Sequence, residues 1–233
     1  MIKKVLDMIY PKKCISCFEI IDEDYFCENC IKDILQIDGG CLVCGALISE
    51  SEICHNCPDY KTFFDRNVAV FKYEDVKDII HKFKYAKKPW LGKIMGKIMA
   101  EFLLDKHRDM LNLTNVMIPT PIHRKKLNAR GFNQSYIMAL EISKLTGIEL
   151  LDGVKRVKNS KAQSLVSLEE RAVNVTNAFL AIKDVSDKNI LIVDDIYTTG
   201  NTINSISQEL KLKGAKQVNS IAFSISQQNI DIL

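Results

Sequence analysis

The stretch from Ile190 to Thr202 reads Ile-Leu-Ile-Val-Asp-Asp-Ile-Tyr-Thr-Thr-Gly-Asn-Thr. It runs from an apolar strand into two adjacent carboxylates, then a small polar loop, then a helix. Ligands of open α/β sheets bind at the carboxyl ends of strands. Thr198, Thr199, Gly200, Asn201 and Thr202 would present hydroxyls and backbone N–H groups at a helix N-terminus, a cradle for a phosphate dianion. Asp194 and Asp195 cannot be there to bind that phosphate, since like charges repel. They fit as acceptors for vicinal hydroxyls, or as partners of a magnesium ion carried by the ligand. An ordinary strand-to-helix turn would explain the threonines but not the two carboxylates before them. A Walker A loop is excluded, because no Gly-Lys-Thr/Ser follows.

A second chemistry lies at the other end of the chain. All eight cysteines precede residue 58, as four Cys-x-x-Cys pairs: Cys14/Cys17, Cys27/Cys30, Cys41/Cys44 and Cys54/Cys57. Two intervening residues put both thiolates on one tight turn, within reach of one tetrahedral ion. Four thiolates fill a zinc shell and leave no place for water, so such a site is structural. A lone pair could be a redox motif; four regularly spaced pairs point to zinc, two ions in all. Sequential pairing puts Cys14, Cys17, Cys27 and Cys30 on one zinc and Cys41, Cys44, Cys54 and Cys57 on the other. Spacing alone leaves a cross-braced arrangement open.

The elements that must position these residues follow from periodicity. The chain has 233 residues, 47% hydrophobic and 26% charged, an ordinary globular composition. The cysteine segment, residues 1–60, is too small for much core and needs a staple. After it, residues 61–233 alternate strands and helices. Arg66–Tyr73, Val116–Ile118, Ile190–Val193 and Val218–Ile225 read as strands. Asp75–Phe83, Leu91–Lys106, Phe132–Leu145 and Thr202–Leu212 read as helices, with Phe132 and Tyr136 expected in the core. That alternation predicts an α/β fold, a mostly parallel sheet flanked by helices. The net charge is +3, but the cations are clustered: Lys82–Lys93, Arg124–Arg130 and Lys155–Lys161 each lack an acidic residue. Single runs of this kind are solvated surface; three in one domain favour an anionic ligand. No stretch approaches the roughly 18 apolar residues that span a bilayer. The expectation is a cytoplasmic protein with reduced thiols.

Val193–Thr202 resembles the 5-phosphoribosyl 1-diphosphate (PRPP) motif of type I phosphoribosyltransferases. Pro119-Thr-Pro-Ile-His-Arg124, Arg130-Gly-Phe-Asn-Gln134, Arg156, Gln163-Ser-Leu165, Arg171-Ala-Val-Asn174 and Ala178-Phe179 narrow the resemblance. With the cysteine pairs in front, nearly the whole chain resembles the ComF family of ComFC-like competence proteins, in its double zinc ribbon form. Ser160 departs from the expected Thr but keeps the hydroxyl. The resemblance implies a type I phosphoribosyltransferase-like fold behind a small N-terminal zinc module with four cysteines to each ion. It implies that Asp194 and Asp195 hold the ribose hydroxyls and form the catalytic pair, and that Thr198–Thr202 hold the 5-phosphate. Magnesium would come with PRPP. The loop around Thr120 would face the diphosphate, with Arg124 and Arg130 forking onto its oxygens. Arg171 is a candidate hood over the site.

Three functional classes follow. A transferase would let an acceptor attack C1 of the ribose and displace diphosphate; no nucleophile or base marks that acceptor. A nucleic-acid module would use the basic runs on single-stranded DNA, which the resemblance associates with this family together with a ComFA-like helicase. A regulator would bind PRPP as a signal without turnover. The favoured expectation is a PRPP-binding competence protein with single-stranded DNA as partner.

Overall fold

The computed structural model describes residues 11–22, 25–32, 34, 36–37, 40–41, 43–45, 54, 62–86, 88–157 and 178–226. In chain order the elements are α1 (Glu28–Ile31), β1 (Arg66–Lys72), α2 (Tyr73–Tyr85), α3 (Pro89–Lys106), α4 (Arg108–Leu113) and β2 (Val116–Pro119). They continue with α5 (Arg124–Arg130), α6 (Gln134–Thr146), β3 (Glu149–Leu150), β4 (Val154–Arg156) and β5 (Phe179–Ala181). Then come β6 (Asn189–Tyr197), α7 (Asn201–Leu212) and β7 (Gln217–Ile225). The main sheet is parallel throughout, in the order β1-β7-β6-β2-β3. A separate antiparallel pair joins β4 and β5.

Side chains alternate across a strand, so a central strand of unbroken apolar residues feeds two cores. Strand β6 does this. Leu191 and Val193 enter a core with α2, α3, α4 and α6. Ile190 and Ile192 enter a second core with Ile203, Ile206 and Leu210 of α7, and with Val154, Phe179 and Val185. The predicted α/β class is therefore correct, with helices on both faces. Each predicted strand and helix forms, with ends shifted by a few residues; α2 begins directly after β1, earlier than its apolar pattern suggested.

Tyr136 corrects the sequence reading: it is 40% exposed. Helix α6 buries Met138, Ala139 and Ile142, and Tyr136 shares the outward face with exposed Leu140. Phe132 precedes the helix and packs as expected, stacking on Phe83 with ring centroids 5.4 Å apart.

Helices α3 and α6 meet at Gly96. A Cβ there would lie 2.6 Å from the Met138 carbonyl oxygen and 2.8 Å from Glu141 Cβ. Alanine normally favours a helix over glycine by about 1 kcal/mol. Here the methyl would push two helix backbones apart, so Gly96→Ala is expected to destabilise the fold by about 1–3 kcal/mol, read as a lowered urea midpoint.

The cysteine segment shares the sheet's cores rather than hanging from them. Ile15 and Ile34 are buried in the first core, and Ile37 and Cys44 in the second. Its backbone also bonds to β1: Ile37 N–H donates to the Val70 carbonyl (2.8 Å), and Asn67 N–H to that of Val43 (2.7 Å).

Candidate functional site

Strand β6 delivers Asp194 and Asp195 at its carboxyl end, between the carboxyl ends of β2 and β7. Asp194 is buried; its Oδ1 accepts from the Ser135 hydroxyl (3.1 Å) and from the Asp195 N–H (2.8 Å). Burial, and next the neighbouring Asp195 charge, push the Asp194 carboxyl up to about 7, against the opposing pull of those two donors and of Lys84. Asp195 Oδ2 pairs with Lys84 Nζ at 2.8 Å, and both side chains are largely covered, 14% and 16% exposed.

The rest of the floor comes from β2 and the start of α6. Asn133 caps α6 by accepting from the Ser135 N–H (3.1 Å) and donates its own side-chain amide to the Thr120 carbonyl (3.1 Å). Thr120 N–H donates to the Val193 carbonyl (2.9 Å), which ties that loop to β6 one residue before Asp194. Thr120 Oγ1 and Gln134 Nε2 are buried there without a hydrogen-bond partner among the described residues, as a polar surface awaiting a ligand would leave them.

Beyond the carboxylates the chain turns at Gly200, whose φ of +74° is left-handed. A Cβ at this position would strike the Tyr197 ring, so glycine serves both the angle and the space. No side chain caps α7, and Thr198, Thr199, Asn201 and Thr202 are exposed around its N-terminus. The loop thus has the shape expected of an anion cradle.

The predicted arginines stand apart from the carboxylates' contacts. Arg124 opens α5 and is exposed; Arg130 closes the same helix, its guanidinium 5.5 Å from the Tyr85 ring centre. Gly131 ends α5 with φ +84°, a left-handed angle that favours glycine. Arg171 and the stretch 158–177 lie outside the described residues.

Three lysines of the run Lys82–Lys93 are engaged within the fold, while Lys93 is exposed and Lys87 lies outside the described residues. Lys84 is spent on Asp195. Lys82 donates to the Ser16 carbonyl, and Lys82 and Lys88 lie over the Phe18 ring at 4.6 and 4.0 Å. Lys84 and Ser135 are site residues that sequence reasoning missed; a lysine among lysines, and a serine at the start of a helix, carry no mark of their partners.

The cysteines gather as the sequential pairing requires. The sulfurs of Cys14, Cys17, Cys27 and Cys30 lie within 4.8 Å of one another, as do those of Cys41, Cys44 and Cys54. Cys57 lies outside the described residues. A tetrahedral zinc with bonds of about 2.3 Å sets its sulfurs about 3.8 Å apart. Cys17–Cys27 at 3.7 Å and Cys44–Cys54 at 3.5 Å fit that edge. Burial alone would push the Cys14 thiol up, yet backbone N–H groups of Cys17, Cys27 and Ser16 bring it down to about 7, while burial and the neighbouring Cys27 push the Cys30 thiol up to about 12, as happens when thiols crowd together with no cation between them. The clusters are built as metal sites.

Comparison with known proteins agrees with this geometry. Residues 94–228 match the phosphoribosyl transferase domain, and residues 5–58 the double zinc ribbon domain. The chain is 30% identical over 161 residues to Competence protein F of Haemophilus influenzae, covering 66% of this chain and 70% of that protein. The chain belongs to the ComF family. It is also 29% identical over 155 residues to Competence protein ComFC of Streptococcus pneumoniae, covering 66% of each. DNA utilization protein YhgH of Escherichia coli K12 is 27% identical over 158 residues, covering 66% of this chain and 70% of that protein. In this ComF chain Lys84 falls between the two matched segments, so neither family model contains it. Among the described residues no helix is long and apolar enough to cross a membrane.

Proposed function

We propose that the chain binds PRPP as its magnesium complex at the β6–α7 loop, in a protein that serves natural competence. The observation that carries this reading is the acidic pair at the end of a central parallel strand, followed at once by an uncapped helix N-terminus ringed with threonines. Asp194 and Asp195 accept the ribose hydroxyls. Thr198, Thr199, Gly200, Asn201 and Thr202 hold the 5-phosphate. Thr120 faces the diphosphate, which Arg124 and Arg130 approach from α5. When bound, magnesium neutralises the leaving diphosphate.

The chemistry divides the chain at residues 1–60 and 61–233, with two structural zinc ions in the first part. The names of the relatives, competence proteins and a DNA utilization protein, support a role in competence and in handling DNA; the expected partner is transforming single-stranded DNA and the expected location the cytoplasm. A ComFA-like helicase is the expected partner.

Calorimetric titration with magnesium–PRPP tests the reading. Binding by the zinc-loaded protein when magnesium is supplied, and none when magnesium is left out, is expected; no binding by folded, zinc-loaded protein in magnesium counts against it. Diphosphate release in the presence of an acceptor marks a transferase, and binding without consumption marks a sensor.

A further inference from the structure

The last turn of α2 stands between the first cysteine cluster and the β6 carboxylates. Residues two apart on a helix point about 200° apart around its axis. Lys82 and Lys84 do so here. Lys82 reaches the Ser16 carbonyl and the Phe18 ring, both between or beside Cys14 and Cys17. Lys84 reaches Asp195. The turn is held in depth by Phe83, fully buried and stacked on Phe132, with Gly92 of α3 admitting its ring: a Cβ there would lie 2.6 Å from Phe83 Cζ. Lys88, just beyond the helix, adds a second cation over Phe18, and Trp90 packs against the same ring at 6.0 Å. Phe18 itself is pinned in a left-handed conformation, φ +67°, on the Cys14–Cys17 turn. It hydrogen-bonds there from its N–H to the Cys14 carbonyl (2.9 Å).

We propose that Lys84 is a positioning residue for the Asp194–Asp195 pair, and that the first cysteine cluster seats it by gripping the opposite face of the same helical turn. Two carboxylates side by side in a covered site cannot both stay ionised and aimed without a counter-charge. The groups that face them are known element by element. Asp194 meets the Ser135 hydroxyl of α6 and the Asp195 N–H, and Asp195 meets the Lys84 ammonium of α2. Lys84 is thus the one cation that the described contacts place on the pair. It fixes the direction of the Asp195 carboxylate at 2.8 Å and pulls against the rise of the Asp194 carboxyl, so that the pair is aimed to accept hydroxyl hydrogens. The cysteine segment therefore does more than staple its own short chain: it fixes where the site's counter-charge stands. The consequence for ligand binding rests on the PRPP reading; the link from Phe18 through Lys84 to the carboxylates does not.

The test uses full-length, zinc-loaded protein with 13C-labelled aspartate, and compares wild type with Lys84→Met, Lys84→Arg and Phe18→Ala. Carboxyl titrations are followed by NMR, and magnesium–PRPP affinity by calorimetry at pH 7 and pH 9. Without the ammonium the acid pair holds its proton more tightly. Lys84→Met is expected to raise the pair's midpoint by about one pH unit or more, to weaken PRPP about tenfold or more at pH 7, and to recover within about threefold at pH 9. Lys84→Arg keeps the charge and stays close to wild type. Phe18→Ala, with zinc content unchanged, shifts the midpoint and the pH 7 affinity in the same direction by a smaller factor. An unchanged midpoint in Lys84→Met overturns the positioning role. A shift in Lys84→Met with none in Phe18→Ala overturns the role of the cysteine cluster. If Lys84→Met does not fold, the wild-type Lys84 Nζ signal decides, because it must move with the carboxyl titration. If the wild type binds no PRPP the functional reading fails, while the NMR midpoints still judge Lys84.

Discussion

Asp194→Asn is expected to abolish PRPP binding and, in the same protein, to stabilise the fold at pH 8. The two effects share a cause. Burial and the adjacent Asp195 charge raise the Asp194 carboxyl to about 7 in the folded chain, against an unfolded carboxyl near 4. Between those values the folded state keeps a proton that the unfolded state has lost. Stability from this residue therefore falls as pH rises from about 4 to about 7, and the full cost is present above 7. An asparagine Oδ1 still accepts from the Ser135 hydroxyl and the Asp195 N–H, so the substitution removes the charge and keeps both hydrogen bonds. A gain of about 1–3 kcal/mol is expected at pH 8 and almost none at pH 4, measured by urea unfolding at both values. Asp195→Asn carries the opposite sign. It strands the Lys84 ammonium in a covered site and is expected to cost about 2–4 kcal/mol, while also abolishing PRPP binding. Equal stability of Asp194→Asn and wild type at both pH values would contradict the burial argument.

Cys27→Ser is expected to lower zinc content from two equivalents to one and to unfold the segment around it. Structural zinc in small Cys sites contributes about 10–16 kcal/mol of folding free energy, as much as the whole stability of an ordinary domain. The four sulfurs of the first cluster converge on one point, and the serine oxygen is a poor substitute for a thiolate there. The damage would not stay local, because Ile15 and Ile34 are part of the same core as β1, β7 and α3. Cys44→Ser and Cys57→Ser are expected to release the other ion, which would establish Cys57 as the fourth ligand beside Cys41, Cys44 and Cys54. Metal analysis of purified variants, with near-ultraviolet circular dichroism, reads both effects. Two zinc equivalents retained in Cys57→Ser would exclude it from the second shell.

Much of this was legible beforehand, for physical reasons that can be named. Strand β6 announced itself because a strand buried on both faces must be apolar at every position from Ile190 to Val193. The cysteine clusters were legible because metal geometry constrains spacing directly. What stayed hidden was set by tertiary contact. The pairing of Lys84 with Asp195 joins residues far apart in the chain, and nothing in a run of lysines separates a buried counter-ion from a solvated one. Tyr136 lay on the expected helix, but the helix turned that face outward. The short β4–β5 pair was missed because three residues of Val-Lys-Arg and of Phe-Leu-Ala give too little alternation to read.

Among the described residues strand β1 has one sheet neighbour, β7, and β7 is the last strand in chain order. About 145 residues separate them, which a ribosome adding 5–20 residues per second would take roughly 7–30 s to make. Through that interval Val68, Val70 and Phe71 belong to a nascent strand without its partner, the kind of segment that recruits a neighbouring chain. The cysteine segment is already synthesised by then, and in the finished fold it occupies the edge of β1 that β7 does not, through Ile37, Val43 and the Gln36–Phe71 bridge. Metal loading early in translation would leave a single open edge on the growing chain, so zinc supply would govern the yield of soluble protein before it governs any chemistry.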